Sequence, residues 1–124
     1  MGRKRASTEQ GITGTYEIST GTAEVVADEF RDGAYILNVN GVPSSHIVLG
    51  EPEELEFEYM RWIAAAVEHL NTRPANKLRV THLGGAGCSL PRYFASKLPG
   101  SRHTVVELDA KLGELVRTLF DVPR

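Results

Sequence analysis

The fold is decided by the stretch Leu78-Arg-Val-Thr-His-Leu-Gly-Gly-Ala-Gly-Cys88, which Thr104-Val-Val-Glu-Leu-Asp109 follows after an intervening segment. An apolar strand pattern runs into a glycine-rich turn, a helix-like segment comes next, and a second apolar strand ends in acidic residues. Glycines let the backbone approach a ligand at the end of the first strand, and an acid after the second strand can accept hydrogen bonds from ribose hydroxyls. This order of elements indicates a site for a nucleotide or nucleoside.

The composition is that of an ordinary globular domain. The chain has 124 residues, of which 41% are hydrophobic and 24% charged. A net charge of −2 provides no general attraction to nucleic acid, and Arg3-Lys-Arg5 is interpreted as a solvated terminus. No apolar run approaches the roughly 20 residues of a membrane span, and no signal peptide is visible. We therefore expect neither nucleic acid nor membrane as a partner.

The cysteine and histidine content limits the chemistry. Cys88 is the single cysteine, so the chain forms no internal disulfide and no cysteine-cluster metal site, and a cytoplasmic location is expected. No basic partner that would activate Cys88 as a nucleophile is identified close to it in the sequence, which favours a small buried thiol. The four histidines show no metal-ligand spacing, so no metal site is predicted. His82, in the strand before the glycines, is interpreted as either a packed or a cofactor-adjacent imidazole.

The N-terminal half begins with a polar segment and continues with a sequence pattern typical of β-strands. Residues 1–14 lack apolar periodicity and are predicted to be a disordered lead. Residues 15–50 are predicted to form an antiparallel β-meander, with turn signals at Arg31-Asp-Gly33 and at Asn40-Gly41.

A helix is predicted to connect the two halves over residues 51–73. Pro52 suits a first helical turn, and the neighbouring glutamates favour the positive end of the helix dipole. Apolar residues recur at helical spacing up to Leu70, and Pro74 lies just beyond the predicted end. The five glutamates between Glu51 and Glu58 are interpreted as a solvated face rather than a polyamine or metal site.

The C-terminal part, residues 78–124, alternates strands and helices. We predict a strand at about 79–83, a helix at about 90–98, a strand at about 103–108 and a helix at about 110–120. The predicted fold class is therefore α/β. A small N-terminal antiparallel β-meander precedes a βαβα unit.

The glycine turn favours one class of ligand. The dinucleotide pattern G-x-G-x-x-G is not met because Cys88, Ser89 and Leu90 follow without a third glycine, so a pyrophosphate is disfavoured. A sulfonium nucleoside such as S-adenosylmethionine fits better, although a purely structural βαβ turn stays open. Glu107 is expected to meet the ribose and Asp109 to N-cap the next helix. The candidate cofactor-binding residues are Gly84, Gly85, Ala86, Gly87, Glu107 and Asp109.

Four segments together resemble the spermidine synthase family, over roughly residues 20–124. They are Asn40-Gly-Val-Pro-Ser-Ser45, Phe57-Glu-Tyr-Met60, the Gly84-Gly-Ala-Gly87 turn and Val106-Glu-Leu-Asp109. The resemblance implies an enzyme that moves an aminopropyl group from decarboxylated S-adenosylmethionine to putrescine, with no tightly bound cofactor. It also implies that the βαβα unit is the first portion of a Rossmann-like domain of the S-adenosylmethionine-dependent methyltransferase type, which looks truncated. It matches Glu107 to the acid that binds the ribose, and Gly84 and Gly85 to the turn around the nucleoside. It leaves a homodimer open.

The chain departs from the family pattern on the amine side of the site. The family's turn usually reads GGGDGG, and its aspartate falls on Gly87; the family's glutamine falls on Ser44 or Ser45. The family's Tyr-His-Glu reads Tyr59-Met60-Arg61. A dicationic polyamine needs carboxylates to replace its hydration. We therefore expect a different acceptor, or none.

Three functions follow from these observations. The first is a spermidine synthase-like aminopropyltransferase fragment that binds decarboxylated S-adenosylmethionine or a related nucleoside. In the family the catalytic aspartate follows the fourth strand of the sheet, so we expect part of a longer protein, inactive alone. The second is an S-adenosylmethionine-dependent methyltransferase, although His82 stands where such enzymes tend to carry an acid. The third is a non-catalytic nucleoside-binding or assembly module, which Gly87 and Met60 favour.

Overall fold

Four strands come first in the chain, and helices then alternate with strands. The computed structural model describes residues 11–123. Its elements are β1 (Gly14–Ile18), β2 (Gly21–Ala27), β3 (Ala34–Val39), β4 (Val42–Val48), α1 (Glu58–Leu70), a short 3₁₀ helix (Ala75–Lys77), β5 (Arg79–Leu83), α2 (Ser89–Lys97), β6 (Arg102–Val106) and α3 (Ala110–Leu119). Strands β1 to β4 form an antiparallel sheet, and β5 pairs in parallel with β6. The predicted α/β fold class, a meander followed by a parallel βαβα unit, is confirmed.

The hairpin between β3 and β4 follows directly from its turn residues. Asn40 has a φ of 50° and Gly41 a φ of 79°. A two-residue hairpin turn with positive φ at both positions matches the right-handed twist of the flanking strands, and Asn-Gly is its preferred sequence. The meander then buries alternate residues, such as Ala23 and Val25 on β2, against the core.

The prediction that residues 1–14 form a disordered lead was wrong for the last residues of that range. Residues 1–10 lie outside the described part of the chain, but Ile12 packs against the core and Gly14 begins β1. The hydroxyl of Tyr16 donates to the carbonyl of Ile12 at 2.6 Å. Burial of an isoleucine and a side-chain hydrogen bond fix this segment, and neither depends on local periodicity.

The prediction that the connecting helix begins at residue 51 was also wrong. Residues 51–57 are not helical, and α1 begins at Glu58 rather than near Pro52. The guanidinium of Arg31 holds the carboxylates of Glu51 at 2.8 Å and of Glu54 at 3.2 Å. These glutamates therefore pair with the β2–β3 loop instead of occupying the first turn of a helix. Local charge pattern alone does not distinguish the two roles.

The two-stranded parallel sheet is covered on one face. Phe94 of α2 packs over His82 and His103 on that face, while the opposite face carries exposed residues of both strands. Leu83, at the end of β5, is 85% exposed. Helix α2 also contacts β4, and α3 contacts β1, so the helices pack the parallel unit against the meander.

The side chain of Asp109 links the two halves of the fold. It is buried, and it accepts hydrogen bonds from the backbone N–H groups of Ser19 at 3.0 Å and Thr20 at 2.8 Å, and from the Thr20 hydroxyl at 2.8 Å. It also accepts from the N–H of Leu112 at 2.9 Å, which confirms its predicted role as the N-cap of α3. Burial by itself would raise the pKa of Asp109, but these donors outweigh it, and the pKa is lowered.

We predict that Asp109→Asn lowers the melting temperature at neutral pH by roughly 5 °C or more, because an amide NH₂ would face donors that now meet a carboxylate. A carboxyl group whose pKa is lowered by folding stabilises the protein above its unfolded-state pKa of about 4, and the effect is lost at lower pH. The difference between parent and variant, measured by thermal unfolding, should therefore shrink below about pH 4. Asp32→Asn, at an exposed loop position, is the control. Equal melting temperatures for Asp109→Asn and Asp32→Asn would contradict the linking role.

Candidate functional site

The turn between β5 and α2 has an unusual backbone. Gly84, Ala86 and Cys88 have φ values of 80°, 43° and 59°. The left-handed conformation costs an L-residue about 1–2 kcal/mol, and strain of this kind is concentrated at functional sites. A Cβ atom at Gly84 would meet nothing within 4 Å. The turn is therefore strained at two non-glycine residues and open to solvent at Gly84, at the carboxyl end of β5.

Glu107 closes this turn from the end of β6. One carboxylate oxygen, Oε2, accepts from the N–H groups of Gly85 at 2.9 Å and Ala86 at 3.3 Å, and Oε1 accepts from the N–H of Asp109 at 3.2 Å. Partial burial would raise the pKa of Glu107, but the three backbone donors outweigh it and the pKa is lowered. A carboxylate has about two acceptor positions on each oxygen, so Oε1 keeps one for an additional donor.

Two of the predicted glycines serve close packing. A Cβ atom at Gly85 would lie 2.6 Å from Cγ1 of Val105, and one at Gly87 would lie 2.8 Å from Cβ of Ser45. The N–H of Gly87 donates to the Ser45 hydroxyl at 2.9 Å. Gly85 therefore seats the turn on β6, and Gly87 seats it on β4 of the meander.

A hollow of about 400 Å³ lies at the mouth of the turn, and we call it the turn hollow. Glycine-turn residues and Glu107 form one side, and residues of β3, β4 and α1 contribute to the other. Its lining includes Gly84, Gly85, Ala86, Glu107, His82, Val39, Ser44, Tyr59, Met60, Leu90 and Pro91. Four of the six predicted site residues thus meet here.

The other two predicted residues, Gly87 and Asp109, are not among the residues lining the turn hollow. Gly87 is buried against Ser45, and the oxygens of Asp109 are occupied by the meander and by α3. Sequence reasoning also missed Val39. Its position on β3 is far from the turn in sequence, and no local pattern marks it.

A second hollow, of about 720 Å³, lies beside β6 between α2 and α3, and we call it the β6 hollow. Its lining includes Glu107, so this carboxylate borders both hollows, and it also includes Ala95, Ser101, His103, Val105, Glu114 and Arg117. The two hollows meet at the residues that line both, Gly85, Ala86, Pro91 and Glu107.

The thiol of Cys88 is a poor nucleophile. It is buried in the core, as the sequence predicted. Burial raises its pKa, and the negative charge of Glu107 raises it further, so the thiolate is disfavoured at neutral pH.

Neither a metal-binding cluster nor a membrane-spanning helix is found among residues 11–123. Among residues 11–123, no three histidine, cysteine, aspartate or glutamate side chains are grouped so that they could hold a metal ion. No helix within the same residues is long and apolar enough to span a membrane.

Comparison with known proteins gives one informative match. No protein-family model and no curated protein matches the chain. Among solved structures, the crystal structure of a probable spermidine synthase from Corynebacterium glutamicum ATCC 13032 is 52% identical and superimposes with a TM-score of 0.84. The match covers 90% of this chain and 41% of that structure's chain. The resemblance to the spermidine synthase family, first indicated by the glycine turn and its flanking segments, is therefore confirmed over the part of that protein which this chain matches.

Proposed function

We propose that this chain is a spermidine synthase-like protein whose turn hollow binds the nucleoside part of decarboxylated S-adenosylmethionine or of a related sulfonium nucleoside. The observation that carries the proposal is the Glu107 carboxylate beside the open Gly84. Its pKa is lowered, and one acceptor position on Oε1 is left for a ribose hydroxyl. The 52% identity to a probable spermidine synthase supports the same ligand class.

The walls of the turn hollow suit a nucleoside. A ribose hydroxyl that donates to an ionised carboxylate makes a charge-assisted hydrogen bond, which contributes about 1.5–3 kcal/mol. Val39, Met60 and Leu90 supply apolar surface in the same hollow for an adenine ring or a thioether. Gly84 leaves the backbone accessible at the point where the ligand would approach.

The reaction proposed for this family of ligands is a direct displacement. The lone pair of an acceptor amine forms a bond to the carbon next to the sulfonium, the carbon–sulfur bond breaks, and the sulfur keeps the electron pair as methylthioadenosine. The amine then loses one proton. The protein would contribute positioning and a proton acceptor.

The described residues that line the turn hollow offer fewer contacts to an acceptor amine than to a nucleoside. Glu107 is the one carboxylate among the described residues that line the turn hollow, and it already accepts three backbone hydrogen bonds. The resemblance places an aspartate at Gly87, where this chain packs backbone against Ser45. We therefore propose an acceptor other than a dicationic polyamine for this chain.

A non-catalytic nucleoside-binding or assembly module is the second candidate. The contact between Gly87 and Ser45 favours it, because it fills the place where an amine-binding carboxylate would stand and leaves the nucleoside side intact. The two candidates share a ligand and differ in turnover.

We predict that Glu107→Gln weakens methylthioadenosine binding roughly 10- to 100-fold, because the charge-assisted hydrogen bond to the ribose is lost. Glutamine is preferred to alanine, which would leave the N–H groups of Gly85 and Ala86 without their partner and disturb the turn itself. Calorimetry gives the affinity, and thermal unfolding reports the cost to the fold. Glu114→Gln, on α3 and outside the turn hollow, is the matched control. Parental affinity in Glu107→Gln would place the ribose contact elsewhere.

We predict that Gly84→Val abolishes nucleoside binding, because a branched side chain would occupy the open approach to the turn and oppose a φ of 80°. Gly33→Val is a matched control, since Gly33 has a φ of 75° and is equally open but lies in the β2–β3 loop. Both variants should lose similar stability in thermal unfolding. Only Gly84→Val should lose binding in calorimetry; retained binding would show that the glycine turn is not the site.

We predict that putrescine does not increase methylthioadenosine release from decarboxylated S-adenosylmethionine by this chain. Glu107, the one carboxylate among the described residues that line the turn hollow, already accepts three backbone hydrogen bonds, so no further carboxylate there replaces the hydration of putrescine. A chromatographic assay of methylthioadenosine, with an active spermidine synthase as positive control, measures the effect. Putrescine-dependent release would show that the amine site has been misplaced. Methyl transfer from S-adenosylmethionine to an added acceptor would favour the methyltransferase alternative.

A further inference from the structure

Three side chains form a hydrogen-bonded chain between the two hollows. Nε2 of His82 lies 3.0 Å from Nδ1 of His103, and Nε2 of His103 lies 2.8 Å from the Ser101 hydroxyl. The same hydroxyl donates to the carbonyl oxygen of Leu98 at 2.6 Å. His82 lines the turn hollow, whereas His103 and Ser101 line the β6 hollow.

The hydrogen-bond partners of His82 and His103 determine which nitrogen of each ring carries the proton. A carbonyl oxygen cannot donate, so the proton between Ser101 and Leu98 belongs to the serine. The serine oxygen must then accept from Nε2–H of His103, which leaves Nδ1 of a neutral His103 as an acceptor. His82 therefore donates from Nε2–H. Its own Nδ1 carries a lone pair, which accepts no hydrogen bond from residues 11–123.

This arrangement can take up one proton without breaking. A proton that binds Nδ1 of His82 leaves the Nε2–H donor to His103 in place. The proton between the rings can also shift to Nδ1 of His103, in which case His103 donates to His82. A second proton would set two donors against each other at 3.0 Å, so the pair titrates as one coupled unit that accepts a single charge.

The pair is neutral at neutral pH. Burial lowers the pKa of His82, and the neighbouring His103 lowers it further; burial also lowers the pKa of His103. Phe94 packs on both rings, with ring centroids 6.4 Å from His82 and 6.1 Å from His103. A proton added to His82 would place its positive charge beside the turn hollow, which His82 lines.

Other titratable and charged side chains of the described residues surround the His82–His103 pair. On α2, Tyr93 donates its hydroxyl to Glu68 of α1, and Phe94 carries no charge. The groups that share the two hollows with the pair are Tyr59, Cys88, Glu107, Arg102, Asp109, Glu114 and Arg117. Glu107 and Asp109 have lowered pKa values, and Cys88 and Tyr93 have raised ones, so these four keep their charge state while the histidines titrate.

We propose that the His82–His103 pair determines the charge selectivity of the turn hollow, accepting a sulfonium nucleoside when neutral and repelling it when singly protonated. This inference rests on the proposed function. A sulfonium ligand carries a positive charge on sulfur, whereas methylthioadenosine presents the same adenosine with a neutral thioether. Protonation of the pair therefore disfavours the charged ligand relative to the neutral one, through like-charge repulsion in a partly desolvated site.

The test is calorimetry of this chain with decarboxylated S-adenosylmethionine and with methylthioadenosine at about pH 8 and at a lower pH, chosen as the one at which imidazole ¹⁵N NMR shows the pair singly protonated. The ratio of the two dissociation constants cancels effects common to both ligands. We expect this ratio to shift by about five- to tenfold against the charged ligand at the lower pH. The shift should disappear in a His82→Gln/His103→Gln variant, and it should persist in His69→Gln, which alters an exposed histidine at the end of α1.

Imidazole ¹⁵N NMR spectra of the same chain provide a readout independent of ligand binding. They should show Nε2–H tautomers for both His82 and His103 at about pH 8, and one shared protonation on acidification. A His103 ring protonated at Nδ1 at that pH would overturn the hydrogen-bond assignment. A pH-independent ratio of dissociation constants would overturn this inference alone. If neither ligand bound at the higher pH, the proposed function would fail, and this inference would fail with it.

Discussion

The carboxylate of Asp109 is the contact on which the site depends. It accepts from Ser19 and Thr20 in the β1–β2 turn and from Leu112 in the first turn of α3, so it joins the meander to the end of the parallel unit. Because Asp109 also donates its backbone N–H to Glu107, the same residue sets the position of the carboxylate that closes the glycine turn. Disrupting a buried acceptor that serves several donors costs free energy, because the donors are left without a partner. This cost makes the junction rigid.

The glycine turn is held from two further directions. Glu107 binds the N–H groups of Gly85 and Ala86, and the Ser45 hydroxyl binds the N–H of Gly87. These contacts offset the cost of left-handed backbone at Ala86 and Cys88. The turn is thereby held in one conformation with Gly84 open, so a ligand at the proposed site would meet a preorganised backbone.

The departures from the family pattern on the amine side are spatially related. The resemblance assigns amine-side residues to Gly87 and to Ser44 or Ser45, and Gly87 packs directly against Ser45, with too little space for a Cβ atom on Gly87. Restoring an aspartate at Gly87 alone would therefore collide with β4. The contact between Gly87 and Ser45 closes the turn onto the meander, while Glu107 and Gly84 line the turn hollow.

The sequence by itself determined those features that depend on residues close together in the chain. Asn40-Gly41 requires a tight hairpin, Asp109 is suited to cap the helix that follows it, and the glycine turn with Glu107 indicates an α/β nucleoside site. Only the tertiary structure decided the start of α1, the role of Gly87 and the hydrogen-bonded chain from His82 to Ser101. Each of these depends on a partner distant in sequence, such as Arg31 for the glutamates before α1 or Ser45 for Gly87, and local propensity and periodicity carry no information about such partners.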